Sequence, residues 1–239
     1  MSAPLPAQPT NPALIVGDSS ALLQLILAEE MQTLRAIKAD YGVQCVMTEA
    51  VSSELRRKLQ NKYPEKAAVL KKAVANSTVV VLSEVVLSVA GYRSAPALID
   101  QIEQLGREFA VRIDRGEAYT HAASNVLAVP ALSQDLEAIW KLISAGIHVE
   151  RPVLRAFDVV IFGLQIGVLT EADCKQVRKE LLRNEQGILQ CFRNCAVMDG
   201  LPSFYQRLCD ADLTPLGSPT PVEKLDQRLW IRRSSPVAD

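Results

Sequence analysis

The stretch Ala13-Leu14-Ile15-Val16-Gly17-Asp18-Ser19-Ser20 constrains this chain most. An apolar run ends abruptly in an acid and two hydroxyls, and Ala21 to Ala28 then continues almost wholly apolar. A short apolar run bounded by turn chemistry reads as a buried strand, and the run after it as a helix. Asp18 therefore stands at the carboxyl end of a central strand. Ligands bind beyond that edge in open α/β sheets.

The rest of the chain alternates in the same way. A mostly polar helix over 29–40 carries Leu34 and Ile37 and ends near Gly42. Residues 43–47 form a second short strand. Thr48 caps a helix on which Val51, Leu55 and Leu59 recur every four residues, read as continuing to Lys72. Residues 78–82 are β-forming and either join the main sheet or start an insertion, and 83–112, an addition to the expected domain, contain one helix after Pro96. An alanine-rich helix over 118–127 follows Asp114-Arg115-Gly116-Glu117, with small side chains that let it lie close to a sheet. A strand over 128–133 leads through Gln134-Asp135 into a helix stopped by Gly146. Residues 147–149 read as a last strand, Pro152 as the start of a helix to about Phe162, and Thr170 to Asp173 as a capping box. Strand and helix in alternation predict an α/β fold: a three-layer α/β/α sandwich whose central parallel sheet is covered on both faces by right-handed crossovers. The sandwich is expected over 13–184, after a flexible lead (1–12) and before an extension (185–239) that is partly helical, then loosely ordered.

Composition narrows the class. Hydrophobic residues make up 49% of the chain and aromatics 5%, so the core is aliphatic. The net charge of −1 gives no whole-molecule attraction to nucleic acid, so any such attraction must come from local clustering. One cluster exists: Arg56, Arg57, Lys58, Lys62, Lys66, Lys71 and Lys72 follow the second strand. It reads either as a solvated surface or as a stripe that tracks phosphates. Residues 1–12 lack a secretory signal, and no run is long and apolar enough for a membrane span. The five cysteines, an odd number, point to reduced thiols in a cytoplasm. Cys191 and Cys195 share a helix face, near Cys174 and Cys209, but neither histidine is close enough to favour zinc over buried free thiols.

Four acids stand where chemistry is expected. Asp18 and Asp135 both follow strand ends, and Glu117 opens a helix. Glu54 lies about 60° from Val51 in helical phase, on the flank of the buried stripe, whereas Glu49 lies roughly 160° away, in solvent. Each has an ordinary structural explanation: helix caps for Asp18 and Asp135, a dipole partner for Glu117, a half-exposed surface site for Glu54. Gathered together, they repel one another unless a cation is present. An all-oxygen set selects a hard ion such as Mg²⁺ or Mn²⁺, which binds phosphate oxygens.

The order and spacing of these pieces resemble the PIN-domain ribonucleases, notably the toxins of toxin-antitoxin systems and their relatives. The matching segments are the strand ending in Asp18 with Ser20 two residues on, Val51-Ser52-Ser53-Glu54-Leu55, Asp114-Arg115-Gly116-Glu117-Ala118 and Leu132-Ser133-Gln134-Asp135. By that resemblance Asp18, Glu54, Glu117 and Asp135 are both catalytic and metal-holding, with Ser20 supporting the metal shell and Ser133 orienting Asp135. It implies Mg²⁺- or Mn²⁺-dependent endonucleolytic cleavage of RNA by in-line attack of water, with RNA positioned by Arg56, Arg57, Lys58 and Lys62. An antitoxin or other regulatory protein, and a homodimer, are partners of the kind the resemblance implies; a membrane is not. The chain departs from many relatives in having Leu136 where a second charged residue follows the fourth acid.

The alternative is a catalytically silent module of the same fold acting as a protein-interaction scaffold. Other enzyme classes fit less well. There is no second aspartate two residues after Asp18, as a haloacid-type phosphatase needs. Neither glycine-rich nucleotide motif is present, and His121 and His148 lack a Gly-x-Ser-x-Gly elbow.

Overall fold

In the computed structural model, residues 13–149, 153–165 and 167–184 are described. Their elements run β1 (Ala13–Gly17), α1 (Ser19–Leu27), α2 (Met31–Tyr41), β2 (Val43–Met47), α3 (Glu49–Lys62), α4 (Ala67–Ala75), β3 (Val79–Val81), α5 (Glu84–Val89), α6 (Ala95–Phe109), α7 (Arg115–Leu127), β4 (Ala131–Leu132), α8 (Leu136–Ser144), β5 (Val153–Leu154), α9 (Ala156–Gln165) and α10 (Glu171–Arg183). The protein is an α/β sandwich about a five-stranded, all-parallel sheet of order β3-β2-β1-β4-β5.

Parallel central strands are buried on both faces, and β1 is apolar for that reason. Leu14 and Val16 pack with Val46, Leu87, Ile102, Ala123 and Leu127, beneath α5, α6 and α7. Ile15 and Cys45 face the opposite way, into the larger cluster that includes residues of α1, α2, α9 and α10. Burying each large aliphatic side chain of β1 contributes about 2 kcal/mol. The helix α3 touches both α1 and α7 and so ties the two layers together.

Strand order places the site. The chain leaves β1 for β2 on one side, and after β3 returns to β4 on the other, so the crossovers diverge between β1 and β4. Past the carboxyl ends of these two strands lie Asp18 and, three residues beyond β4, Asp135. A helix that precedes a parallel strand runs antiparallel to it. The first turn of α7, with Glu117, therefore starts at this same edge.

Several expectations are corrected. The helix after Thr48 stops at Lys62, because Pro64 breaks it into a short 3-10 turn before α4. The basic residues are thereby divided between two helices, and Lys66 pairs with Glu29 at 2.7 Å. Of the two places open to 78–82 the chain takes the main sheet, where Val79–Val81 form an edge strand, and 83–112 hold two helices rather than one, α5 being capped by Ser83. The strand expected over 128–133 shrinks to two residues. The last strand is not 147–149, because the Ile147 amide donates to Leu142 at 3.0 Å and stays folded onto the end of α8 beyond Gly146. Val153 and Leu154 form β5 instead, and the helix expected from Pro152 begins at Ala156, where Asp158 accepts from the Arg155 amide at 2.8 Å. The capping box at Thr170 and Asp173 is present. The flexible lead, the C-terminal extension, Cys191, Cys195 and Cys209 lie outside the described residues. No described helix is long and apolar enough to cross a membrane.

Candidate metal and nuclease centre

Asp18 is held by backbone. Its amide donates to the Leu132 carbonyl at 2.8 Å, carrying the β1–β4 pairing one residue past the strand, so its side chain enters the crevice between the two strand ends. The carboxylate caps α1, accepting from the amides of Ser19 (2.6 Å) and Ser20 (3.2 Å) and from the Ser20 hydroxyl. It is wholly buried. Burial pushes its pKa above the ordinary carboxylate range, against the lowering effect of these bonds and with a further push from Glu54. Ser20 thus supports the acid, and Asp18 caps α1 while its carboxylate stands at the strand edge.

Glu54 comes from α3, whose face of Val51, Leu55 and Leu59 is buried. Its side chain is 20% exposed. One oxygen accepts from the Ser19 hydroxyl at 2.9 Å and lies 2.5 Å from the Lys58 ammonium, which also donates to Ser19 at 3.1 Å. The other oxygen rests on Gly116 of α7. A Cβ at that position would stand 2.1 Å from Glu54 Oε2 and 3.7 Å from Asp18 Oδ1. A glycine here lets β1, α3 and α7 bring their acids together.

Glu117 and Asp135 complete the set. Ala118, Ala122 and Ala123 are fully buried and let α7 lie close to the sheet, as their size predicts. The Glu117 carboxyl is pushed up to about 9, chiefly by burial, then by the charges of Asp18 and Asp135, a hydrogen bond shared with Asp135, and the charge of Asp114. Asp135 caps α8, accepting from the amides of Glu137 (2.8 Å) and Ala138 (3.1 Å), while the Ser133 hydroxyl accepts from the Asp135 amide at 3.4 Å. Gln134 fixes this loop: it donates to Gln24 of α1 at 2.9 Å and accepts from the Ala156 amide at 3.0 Å.

The four acids therefore form a chain of neighbours: Glu54 beside Asp18, Asp18 beside Glu117, Glu117 beside Asp135. Among the described residues, no three acidic, histidine or cysteine side chains converge on one point as they stand. The donor set nonetheless suits a hard cation. It is all oxygen, and around Glu117 carboxyls crowd together until one keeps its proton. Four residues further along α7, His121 is fully buried with no hydrogen-bond partner on either ring nitrogen, and burial lowers its pKa to about 4.

Two grooves flank the acids. One, of about 360 Å³, is lined by Glu49, Glu54, Arg57, Glu103, Arg115, Gly116 and Tyr119, with the Arg115 guanidinium 5.6 Å from the Tyr119 ring centre. The other, of about 440 Å³, is lined by Arg112, Asp114, Glu117, Asp135 and Lys141 among others. Of the four basic residues assigned to RNA, Arg57 lines a groove and Lys58 turns into the acids. Arg56 and Lys62 are exposed away from both grooves, with Lys62 over the Tyr63 ring. Ser19, Gly116 and Gln134 escaped the sequence reading. For all three the signal was adjacency, since each neighbours one of the acids.

Comparison with known proteins gives no match: no protein-family model fits the chain, and no curated protein or solved structure matches it.

Proposed function

We propose that this protein is a divalent-metal-dependent endoribonuclease, hydrolysing RNA phosphodiester bonds with Mg²⁺ or Mn²⁺ as cofactor. One observation carries the reading. Acids from four separate elements line the switch point of the sheet as a chain of neighbours, and Glu117 among them feels the like charges of Asp18, Asp135 and Asp114, with no ion pair of its own among the described residues. Burying that much negative charge is costly unless a cation is to be bound. The resemblance of the segments around Asp18, Glu54, Glu117 and Asp135 to PIN-domain ribonucleases points the same way.

In this reading Asp18, Glu54, Glu117 and Asp135 hold the ion. When bound, it supplies positive charge against the charge developing on the phosphodiester and lowers the pKa of the attacking water. Ser19 and Ser20 orient Glu54 and Asp18, and Ser133 with Gln134 orients Asp135. Arg57 and Arg115 on one side, and Arg112 and Lys141 on the other, attract the phosphates of a strand laid across the acids. A cytoplasmic setting and control by an antitoxin-like partner go with the toxin version of this role.

The test is cleavage of labelled RNA by the purified chain with and without Mn²⁺. Cleavage that requires the ion and disappears in D18N supports the reading, and none under any divalent ion sinks it. One feature favours the second reading, a silent scaffold: Glu54 already has a counter-ion in Lys58. A scaffold retains partner binding in D18N and cleaves nothing in either form.

A further inference from the structure

The side chain of Lys58 is 38% exposed, yet its ammonium reaches down to the edge of the acidic cluster. With Glu54 Oε1 and Ser19 Oγ it closes a triangle of polar atoms, with edges of 2.5, 2.9 and 3.1 Å. Glutamate and lysine four apart on a helix commonly pair at the surface. Two such pairs show that ordinary form: in Glu137–Lys141 and Glu171–Lys175 the carboxylates are 76% and 37% exposed, and among the described residues no hydrogen bond carries either lysine to another element. Glu54 differs. It is 20% exposed, its second oxygen lies against Gly116 close to buried Asp18, and the lysine that pairs with it also bonds Ser19 of α1.

We propose that Lys58 is a tethered competitor for the divalent ion, holding Glu54 by its ammonium while the site is metal-free and yielding it when the ion arrives. The inference rests on the reading of these acids as a metal site and goes beyond it, because it assigns Lys58 a place in metal affinity rather than in RNA contact alone. An ammonium carries three donors and no acceptor, and by engaging Glu54 Oε1 it offsets the negative charge that would draw a hard cation to this carboxylate. The two positive charges repel one another across a single carboxylate, so ion binding at Glu54 includes the cost of loosening or expelling Lys58. On a carboxylate only 20% exposed this exchange weighs more than it does at a fully exposed pair. The affinity of the site for divalent ions is thereby set lower than its acids alone would give.

Calorimetric titration of Mn²⁺ into the full chain tests this, comparing wild type with K58M, K62M and D18N. K62M removes the same charge one turn further along α3, with no bond to Glu54. The expected result is at least tenfold tighter Mn²⁺ binding in K58M, with K62M within threefold of wild type and D18N abolishing binding. Equal affinities in K58M and K62M, or weaker binding in K58M, overturn the competitor role while leaving the metal site standing. Absence of Mn²⁺ binding in both wild type and K58M overturns the metal reading itself, and the competitor role with it.

Discussion

Gly116 is in such close contact with Glu54 that a methyl group on its Cα would stand 2.1 Å from the glutamate's Oε2. The obstructing atom is the far end of a flexible side chain, so the fold can accommodate G116A by swinging Glu54 away. Alanine is also the better helix former by up to about 1 kcal/mol. Stability and function should therefore separate. G116A is expected to melt within a few degrees of wild type or above it, yet to lose RNA cleavage and most Mn²⁺ affinity. Thermal unfolding and a cleavage assay on one preparation decide it, and full activity in G116A would show that the position of Glu54 is immaterial.

His121 and Glu117 give the metal-free protein opposite pH dependences. His121 falls from its ordinary 6.5 to about 4 on folding, so between those values the unfolded chain binds the extra proton and stability is lost as pH falls, by about 3 kcal/mol in all. Glu117 rises from 4.5 to about 9, so the folded chain holds the extra proton and stability is lost as pH rises through that window. The two windows overlap between 4.5 and 6.5, where the slopes cancel, so unfolding midpoints in EDTA should form a plateau there and fall as pH rises towards 9. H121L should turn the plateau into a decline that starts near pH 4.5, and E117Q should remove the alkaline decline, melting above wild type at pH 8. A wild-type profile that is flat from pH 4 to 9 would contradict both assignments.

Bound cation should reverse the alkaline arm. An ion that binds ionised Glu117 releases the proton that folding otherwise retains, so stabilisation by Mn²⁺ should grow with pH. A thermal-shift series at pH 6, 7 and 8 is expected to show a rising increment that EDTA removes and that is absent in D18N. An increment that shrinks as pH rises would mean that the ion binds elsewhere.

Much of this was legible in the residues themselves. An acid directly after an apolar strand has one place to be in a parallel sheet, and helical phase separates Glu54 from Glu49, which is exposed. Contacts made only by tertiary packing were not legible. Nothing local in Ser19, Gly116 or Lys58 announces that the three meet around one carboxylate. The misreading of 147–154 has a local cause: Ile147 looks strand-like, but its amide is taken by the preceding helix, a bond that hydropathy does not register. Two-residue strands such as β4 and β5 are likewise too short to show a period.

Gln134 illustrates a positioning residue hidden in a loop. Its amide side chain links Gln24 of α1 to the Ala156 amide at the start of α9, and the next residue along the chain is Asp135. Q134A leaves those partners short of a hydrogen bond, at a cost of about 1–3 kcal/mol. It should also loosen the loop that carries Asp135. The expected result is a lower unfolding midpoint together with weakened Mn²⁺ binding, whereas Q134E, which keeps the acceptor for Ala156 but loses the donor to Gln24, falls between. Mn²⁺ affinity unchanged in Q134A would limit the residue to a role in stability.

Arg57 and Arg115 face one groove beside the acids, and among the described residues neither has a carboxylate within ion-pair distance. Arg56 and Lys62 carry the same charge on the same helix as Arg57 but lie outside the grooves. If a strand crosses the acids through that groove, each groove arginine that contacts a phosphate releases a counter-ion on binding. Its removal should then lower the slope of log affinity against log salt by about 0.7 for single-stranded RNA. Binding titrations of a short RNA at several salt concentrations, in Ca²⁺ or with D18N to prevent cleavage, should therefore show shallower slopes for R57A and R115A and near wild-type slopes for R56A and K62A. Equal effects of all four would place the RNA on the general basic surface of α3 rather than in the groove, and would remove the link between the groove and the acids.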